Sequence, residues 1–398
     1  MKINLILIIL FSVVLVCEAQ EGKSIDFANS SWSKILQKAK KEKKAIFLYA
    51  YTPSCRWCRQ MEKEVFTDKE VTDFYNSNFV SHKINIEDGA EGEALAKEYG
   101  IVSFPTYMYF NKDGVQVHQS GSAKPAEEFI LDGKDAFNPE KALFSLKRRY
   151  DSGDRSPELL FNYSNALGSY HQEESPEEKV VREYLETQST QQLESEKNIK
   201  YIFSKFLSFQ SPATQYFLEN QNKFTHLFKE DEVRHKAEKI ITRTASIAGS
   251  EDDAQLLKQV DRAVGANFAD TSRLSSLAKI YFYQGQKEWV KYAKATLEYG
   301  RSQGGDDWRT MYETAIYLKH FAKNMQALEL GTQIMERVIK TEKSYDNLNL
   351  YAQLQHRVGK DTQALETARE AIAVARKSGE ESSEAAKLVA ELQAANEE

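Results

Sequence analysis

The sequence predicts an α/β domain, a sheet flanked by helices, followed by a longer all-α region that ends in repeats. Three observations carry this expectation. Short apolar runs alternate with helical spacing and with glycine- or proline-marked turns up to about residue 138. Beyond Asp132–Pro139 proline and glycine thin out, strand-like alternation stops, and amphipathic helical spacing takes over. Near the C-terminus Ala278, Ala315 and Ala352 recur every 37 residues.

The chain has 398 residues, 41% of them hydrophobic, and a net charge of −6, enough for two or more packed domains. The mild acidity is spread through mixed-sign sequence with no basic stripe. Nucleic acid is therefore excluded as an expected partner, and no membrane-surface patch is expected either.

The N-terminus reads as an export signal over residues 1–19. Met1-Lys2 supplies a positive charge, and Ile3 to Val16 is an apolar run broken only by Asn4 and Ser12. Cys17 and Ala19 then place small residues before a cut ahead of Gln20. The run is shorter than the roughly 20 residues of a spanning helix, so no membrane span is expected after cleavage. Val16 is bulky for a lipid-modified Cys17. Cleavage leaves Cys55 and Cys58 as the mature cysteines. A pair two residues apart closes too small a loop to be a useful clamp, so it is there to react.

Lys44–Tyr51 is an apolar, aromatic run with the pattern of a buried strand. Thr52-Pro53-Ser54 punctuates it, and Cys55 to Glu62 takes helical spacing. Cys55 then sits at a helix N-terminus, where unpaired N–H groups and the dipole favour a thiolate. Cys58 falls one turn inside, shielded and placed to resolve a mixed disulfide. A zinc site needs about four ligands. No further cysteine remains, and His82 and His118 stand alone, so no metal is expected. Tyr107–Phe110, the turn Asn111–Gly114 and Val115–Val117 form a hairpin, and Gly121 precedes a helix starting near Lys124-Pro125.

Residues 20–138 resemble the thioredoxin superfamily. They are most similar to its exported branch, which includes the soluble reductase domain of periplasmic disulfide-interchange proteins. Trp32 early in the first helix, the lysines before the strand, the strand–CxxC–helix order and Met61–Val71 carry the resemblance. It implies a central mixed sheet flanked by helices, with Phe79–Glu87 as its second strand and Glu91–Tyr99 as a helix. It also makes Gly100–Thr106 the segment that carries a cis-proline. Pro105 is then cis and faces the cysteines, and the backbone of Phe104 is free to pair with an extended substrate. Two positions depart from the family. Tyr49 stands six residues before Cys55, where thioredoxins place a buried aspartate, while Lys83 aligns with that aspartate's usual lysine. Arg56-Trp57 replaces Gly-Pro. A cation beside Cys55 is expected to lower its pKa and shift the pair modestly towards oxidation, with Trp57 as a docking surface.

Residues 139–264 are expected to be helical. Residues 265–398 resemble tetratricopeptide repeats: Gly285, Ala322 and Gly359 follow the repeated alanines by seven, and Val290, Ala327 and Ala364 by twelve. Leu350–Leu365 with Ala371-Ile372 is the unit closest to that pattern. Such arrays imply protein or peptide binding. Tyr281, Phe282, Tyr283, Tyr292 and Tyr299 lie at helical spacing and are expected in the core, and Asn396–Glu398 ends a solvated cap.

The expected function is an exported thiol–disulfide oxidoreductase, periplasmic, with secretion or a secretory lumen as alternatives, acting on protein or peptide thiols and disulfides and supplied by an upstream redox partner. No cofactor is expected beyond the Cys55–Cys58 pair, and the direction of exchange stays open. The alternative is a protein-binding scaffold or holdase whose thioredoxin fold is redox-inert.

Overall fold

The computed structural model describes residues 24–168 and 176–395. The expected signal over 1–19, Cys17 and the Asn396–Glu398 cap lie outside the described residues. The chain forms two compact units, one up to Ser189 and one from Thr190 onward.

The first unit begins with α1 (Trp32–Glu42), β1 (Ala45–Tyr51) and α2 (Arg56–Gln60), which runs directly into a π-helical turn, Met61–Val65. Then come α3 (Lys69–Asn78), β2 (Phe79–Asn85), α4 (Glu91–Tyr99), β3 (Thr106–Phe110), β4 (Gln116–Gly121) and α5 (Ala126–Asp135). Three further helices follow, α6 (Leu143–Asp151), α7 (Pro157–Gly168) and α8 (Glu177–Glu186). The sheet order is β2-β1-β3-β4, with β1 parallel to β2 and antiparallel to β3. It is the mixed sheet that the sequence predicts. The hairpin differs in extent. Its second strand runs over Gln116–Gly121 rather than 115–117, because a bulge between Tyr109 and Phe110 shifts the pairing to begin at Gln116.

Alternation along β1 builds two cores. Phe47 and Tyr49 face one side, packed with Met61, Phe66, Tyr75 and Phe129. Ile46, Leu48 and Ala50 face the other, against Trp32, Ile35 and Ala39 of α1 and Leu95 of α4. The first core is aromatic; the hydroxyls of Tyr109 and Tyr75 are linked in sequence, whereas that of Tyr107 is buried without a hydrogen bond. Tyr75 gives its proton to the Phe129 carbonyl at 2.7 Å, so Tyr109, 2.8 Å away, donates to Tyr75. Tyr75 and Phe129 stack with ring centroids 4.4 Å apart.

The strand β4 is closed off by α6. The Leu143 N–H donates to Nδ1 of His118 at 3.1 Å, which requires that nitrogen to be unprotonated. Burial pushes His118 down to about 4, with Lys124 acting in the same direction and Asp132 opposing. Lys124 and Asp132 form a partly buried ion pair beside it, and Ser120 donates to the same Asp132 oxygen at 2.5 Å.

In the second unit three helical hairpins recur, and their first helices, Thr271–Gly285, Trp308–Phe321 and Tyr345–Arg357, keep the 37-residue spacing. Ala278, Ala315 and Ala352 are fully buried between helices. The N-caps repeat too: Asp270, Asp307 and Ser344 each accept from the backbone N–H three residues on. Tyr292 and Tyr299 are core residues, whereas Tyr281, Phe282 and Tyr283 are half-buried. Where Thr271–Gly285 crosses Glu230–Ser250, a Cβ on Gly285 would sit 2.0 Å from the Ser246 carbonyl oxygen, and one on Gly249 equally close to that of Phe282. Only glycine lets the two backbones approach this far.

Two outcomes follow from these contacts. His118 binds its proton less readily folded than unfolded, so stability falls as pH drops from about 6.5 through about 4. About 3 kcal/mol is lost across that window, and His118→Gln should flatten the profile in urea unfolding. Gly285→Ala should destabilise the second unit by about 1–3 kcal/mol. Thermal unfolding unchanged by that substitution would mean that the two helices can separate without penalty.

Candidate active site

The C-terminal end of β1 delivers the chain to a tight turn. Thr52 is buried and its carbonyl accepts from the Cys55 N–H at 3.2 Å, while Arg59 reaches back to the Pro53 carbonyl at 2.9 Å. Cys55 is the N-cap of α2 rather than its first helical residue, and the helix expected through Glu62 turns into the π-helical turn at Met61. Cys55 and Cys58 are joined in a disulfide with their Cα atoms 5.3 Å apart.

The two sulfurs differ in environment. Cys58 is 1% exposed, inside the aromatic core, whereas Cys55 is half-buried at its edge. The Cys58 N–H donates to the Cys55 Sγ at 3.0 Å. After reduction this donor and the helix start favour a thiolate on the accessible sulfur.

The Phe104–Pro105 bond is cis. Pro105 is buried, and its carbonyl accepts from the Ser122 N–H at 3.2 Å. The Lys124 N–H points at the sulfur of Met61 at 3.4 Å. Cys55, Phe104 and Ala123 pack against the core cluster that contains Cys58 and Met61. Three segments distant in sequence therefore meet at the disulfide. Trp57 and Val102 present exposed apolar surface, 52% and 56%. The Arg56 guanidinium lies over the Trp57 ring, 5.4 Å from its centroid.

At the position of the missing aspartate, Tyr49 is fully buried and its hydroxyl donates to the Cys58 carbonyl at 3.4 Å. Burial raises its pKa well above the usual phenol value, and the charges of Glu62 and Tyr51 add to the rise. Tyr49 is thus neutral at physiological pH and takes no proton from a thiol. Lys83 pairs with Tyr49 across β1 and β2 and stays half exposed, its ammonium near the rings of Phe27 and Tyr51 at 5.9 and 5.7 Å.

The residue that sequence reasoning missed is Glu62. It lies four residues past Cys58, in the π-helical turn that continues α2. Its Oε1 is buried without a hydrogen bond and lies 3.8 Å from the Lys83 ammonium. Its charge also acts on Tyr49, whose hydroxyl bonds the Cys58 carbonyl. The i+4 spacing from Cys58 was the available signal, hidden because glutamate is ordinary on an exposed helix.

Residues 32–132 match the family model of the thioredoxin-like domain. Spermatogenesis-associated protein 20 of Rattus norvegicus is 45% identical over 112 residues, 27% of this chain and 12% of that protein. Its Homo sapiens counterpart is 41% identical over 112 residues, again 27% and 12%. The chain thus spans only a small part of these relatives. The solution structure of a candidate disulphide-isomerase from Bacteroides thetaiotaomicron is 32% identical, covers 30% of this chain and 97% of that one, and has a TM-score of 0.28. Residues 32–132 are a thioredoxin-like domain.

Glu62→Gln, which keeps shape but removes the carboxylate, should slow reduction of the Cys55–Cys58 disulfide by a dithiol about tenfold near pH 7. The check is the pH profile of the stopped-flow rate. A profile that overlays the wild type would remove Glu62 from the chemistry.

Proposed function

We propose that this chain is an exported thiol–disulfide oxidoreductase, acting in an oxidising compartment such as the periplasm on protein or peptide thiols and disulfides. The observation that carries the reading is the asymmetry of the pair: an accessible Cys55 sulfur facing the Cys58 N–H, and a Cys58 sulfur sealed in the core.

In the reductive direction the Cys55 thiolate attacks one sulfur of a substrate disulfide. The substrate S–S bond breaks, a mixed disulfide forms, and the other substrate sulfur leaves as a thiolate. The Cys58 thiol gives its proton to Glu62, and its sulfur attacks Cys55. The Cys55–Cys58 bond closes and the second substrate thiolate is released. Two electrons pass to the substrate, and the departing thiolates take up protons from Glu62 and solvent. Reversal oxidises a substrate dithiol. An upstream dithiol or disulfide partner restores the pair, and no other cofactor enters.

The backbone of Phe104 beside Pro105 holds the extended substrate chain, and Trp57 and Val102 give its apolar side chains a surface. The Arg56 charge, spread over the Trp57 ring, shifts the potential only modestly. The 37-residue helical hairpins, tetratricopeptide-like in their small-residue pattern, recruit the protein partner.

Cys58→Ser should accumulate a mixed disulfide with a disulfide-containing peptide, seen by mass spectrometry after acid quenching, whereas Cys55→Ser should form none. Adducts on the Cys58 sulfur of the Cys55→Ser protein would reverse the assigned roles. Full partner binding with both cysteines replaced, and no adduct in either variant, would favour the redox-inert scaffold.

A further inference from the structure

Beyond the disulfide, the first unit holds a second site at its other end. β1 starts at Ala45, β2 starts at Phe79 and β3 ends at Phe110, so these three positions mark the pole away from Cys55. Seven strand residues at about 3.3 Å each separate the two by roughly 20 Å. A cavity of about 360 Å³ opens there, within the size range of small-molecule sites. Its walls include Phe79, Tyr109, Val117 and Phe137, and its only charged lining residues are Lys43 and Lys112.

Two features distinguish it from a packing gap. Phe137 is 53% exposed while stacked on the nearly buried Phe79, ring centroids 5.3 Å apart. A large apolar surface is thus left wet at the mouth of an apolar cavity. The second feature is the charge. Lys43, in the left-handed conformation at the end of α1 with φ 55°, is exposed and makes no ion pair or side-chain hydrogen bond among the described residues. Lys112 binds only its neighbour Asp113, at 2.9 Å, and is half exposed. The lysines at 34, 38, 40 and 41 on α1 are also exposed, and Lys40 is close enough to help hold the Asp113 carboxyl below its usual range, after Lys112. This corner is positive although the chain as a whole is negative.

We infer that the cavity binds an amphipathic monoanion, a carboxylate on a medium-length aliphatic or aromatic body. The carboxylate lies between Lys43 and Lys112, and the body covers Phe79 and Phe137. An amphipathic cation is disfavoured because no acid lines the cavity. A small multivalent anion is disfavoured because most of the wall is apolar and its remaining polar side chains, Tyr109, Asn111 and Ser145, carry no charge to match a second one.

The test is calorimetric titration of the full chain with decanoate below its micelle-forming concentration. One decanoate should bind per chain, octanoate should bind about tenfold more weakly, and decanol more weakly than decanoate. The double variant Lys43→Gln/Lys112→Gln alters two exposed side chains and should retain the wild-type melting profile. It should lose about tenfold in decanoate affinity and little in decanol affinity. Ala142→Leu, which fills the cavity from the start of α6, should remove binding of both. Absence of saturable decanoate binding would overturn the inference. So would equal affinity for decanol, tighter binding of decylamine, or an unchanged affinity in the double variant.

Discussion

Strand β1 is buried on both faces, and the position of the Cys55–Cys58 disulfide depends on that burial. Ile46 through Ala50 have no exposed surface, with aromatic side chains on one side and aliphatic ones on the other. A strand so enclosed cannot slip by one residue, because every side chain would change faces. The turn after Tyr51 therefore emerges at a fixed height, and the Cys55 sulfur is presented at the rim while Cys58 is drawn into the aromatic core. The same enclosure explains why the approach to the strand carries lysines. They mark where the buried segment begins, and their exposed tips lie at the pole away from the cysteines.

The electrostatics around the disulfide are rearranged relative to the thioredoxin pattern. An aspartate behind the buried cysteine would carry charge into the aromatic core. Tyr49 instead offers a neutral hydroxyl that caps the Cys58 carbonyl, and its ring extends the stack with Tyr51 and Tyr107. The carboxylate is supplied from the helix, by Glu62, and its nearest cation comes from β2, by Lys83. Charge at the protein–water boundary costs less to desolvate than charge in the core. The arrangement keeps an acid near the cysteines without breaking up the packing that positions them.

The helical region is ordered by a different principle. Buried alanines and glycines allow close helix crossings, and capping side chains recur with them at the 37-residue period. Each hairpin covers the next, as expected where stability arises from neighbour contacts in a linear array. In the first unit a single buried histidine acceptor, His118, ties the added helix α6 to the sheet edge. That contact makes the edge of the domain sensitive to acid.

The sequence by itself determined the local elements: a buried strand at 44–51, observed at 45–51, the hairpin turn at Asn111–Gly114 and the 37-residue helical period. Each is written in short-range spacing and turn chemistry. The CxxC pair was legible in the same way, whereas Tyr49 in place of an aspartate stood out only through the resemblance to thioredoxins. What only the tertiary structure decided involves groups brought together from far apart. The Cys58 N–H aimed at Cys55, the Glu62 oxygen paired with Lys83, the His118 acceptor and the lysine-rimmed cavity depend on how elements pack. None of them leaves a periodic trace, because burial and partnership are properties of the folded arrangement and not of neighbours along the chain.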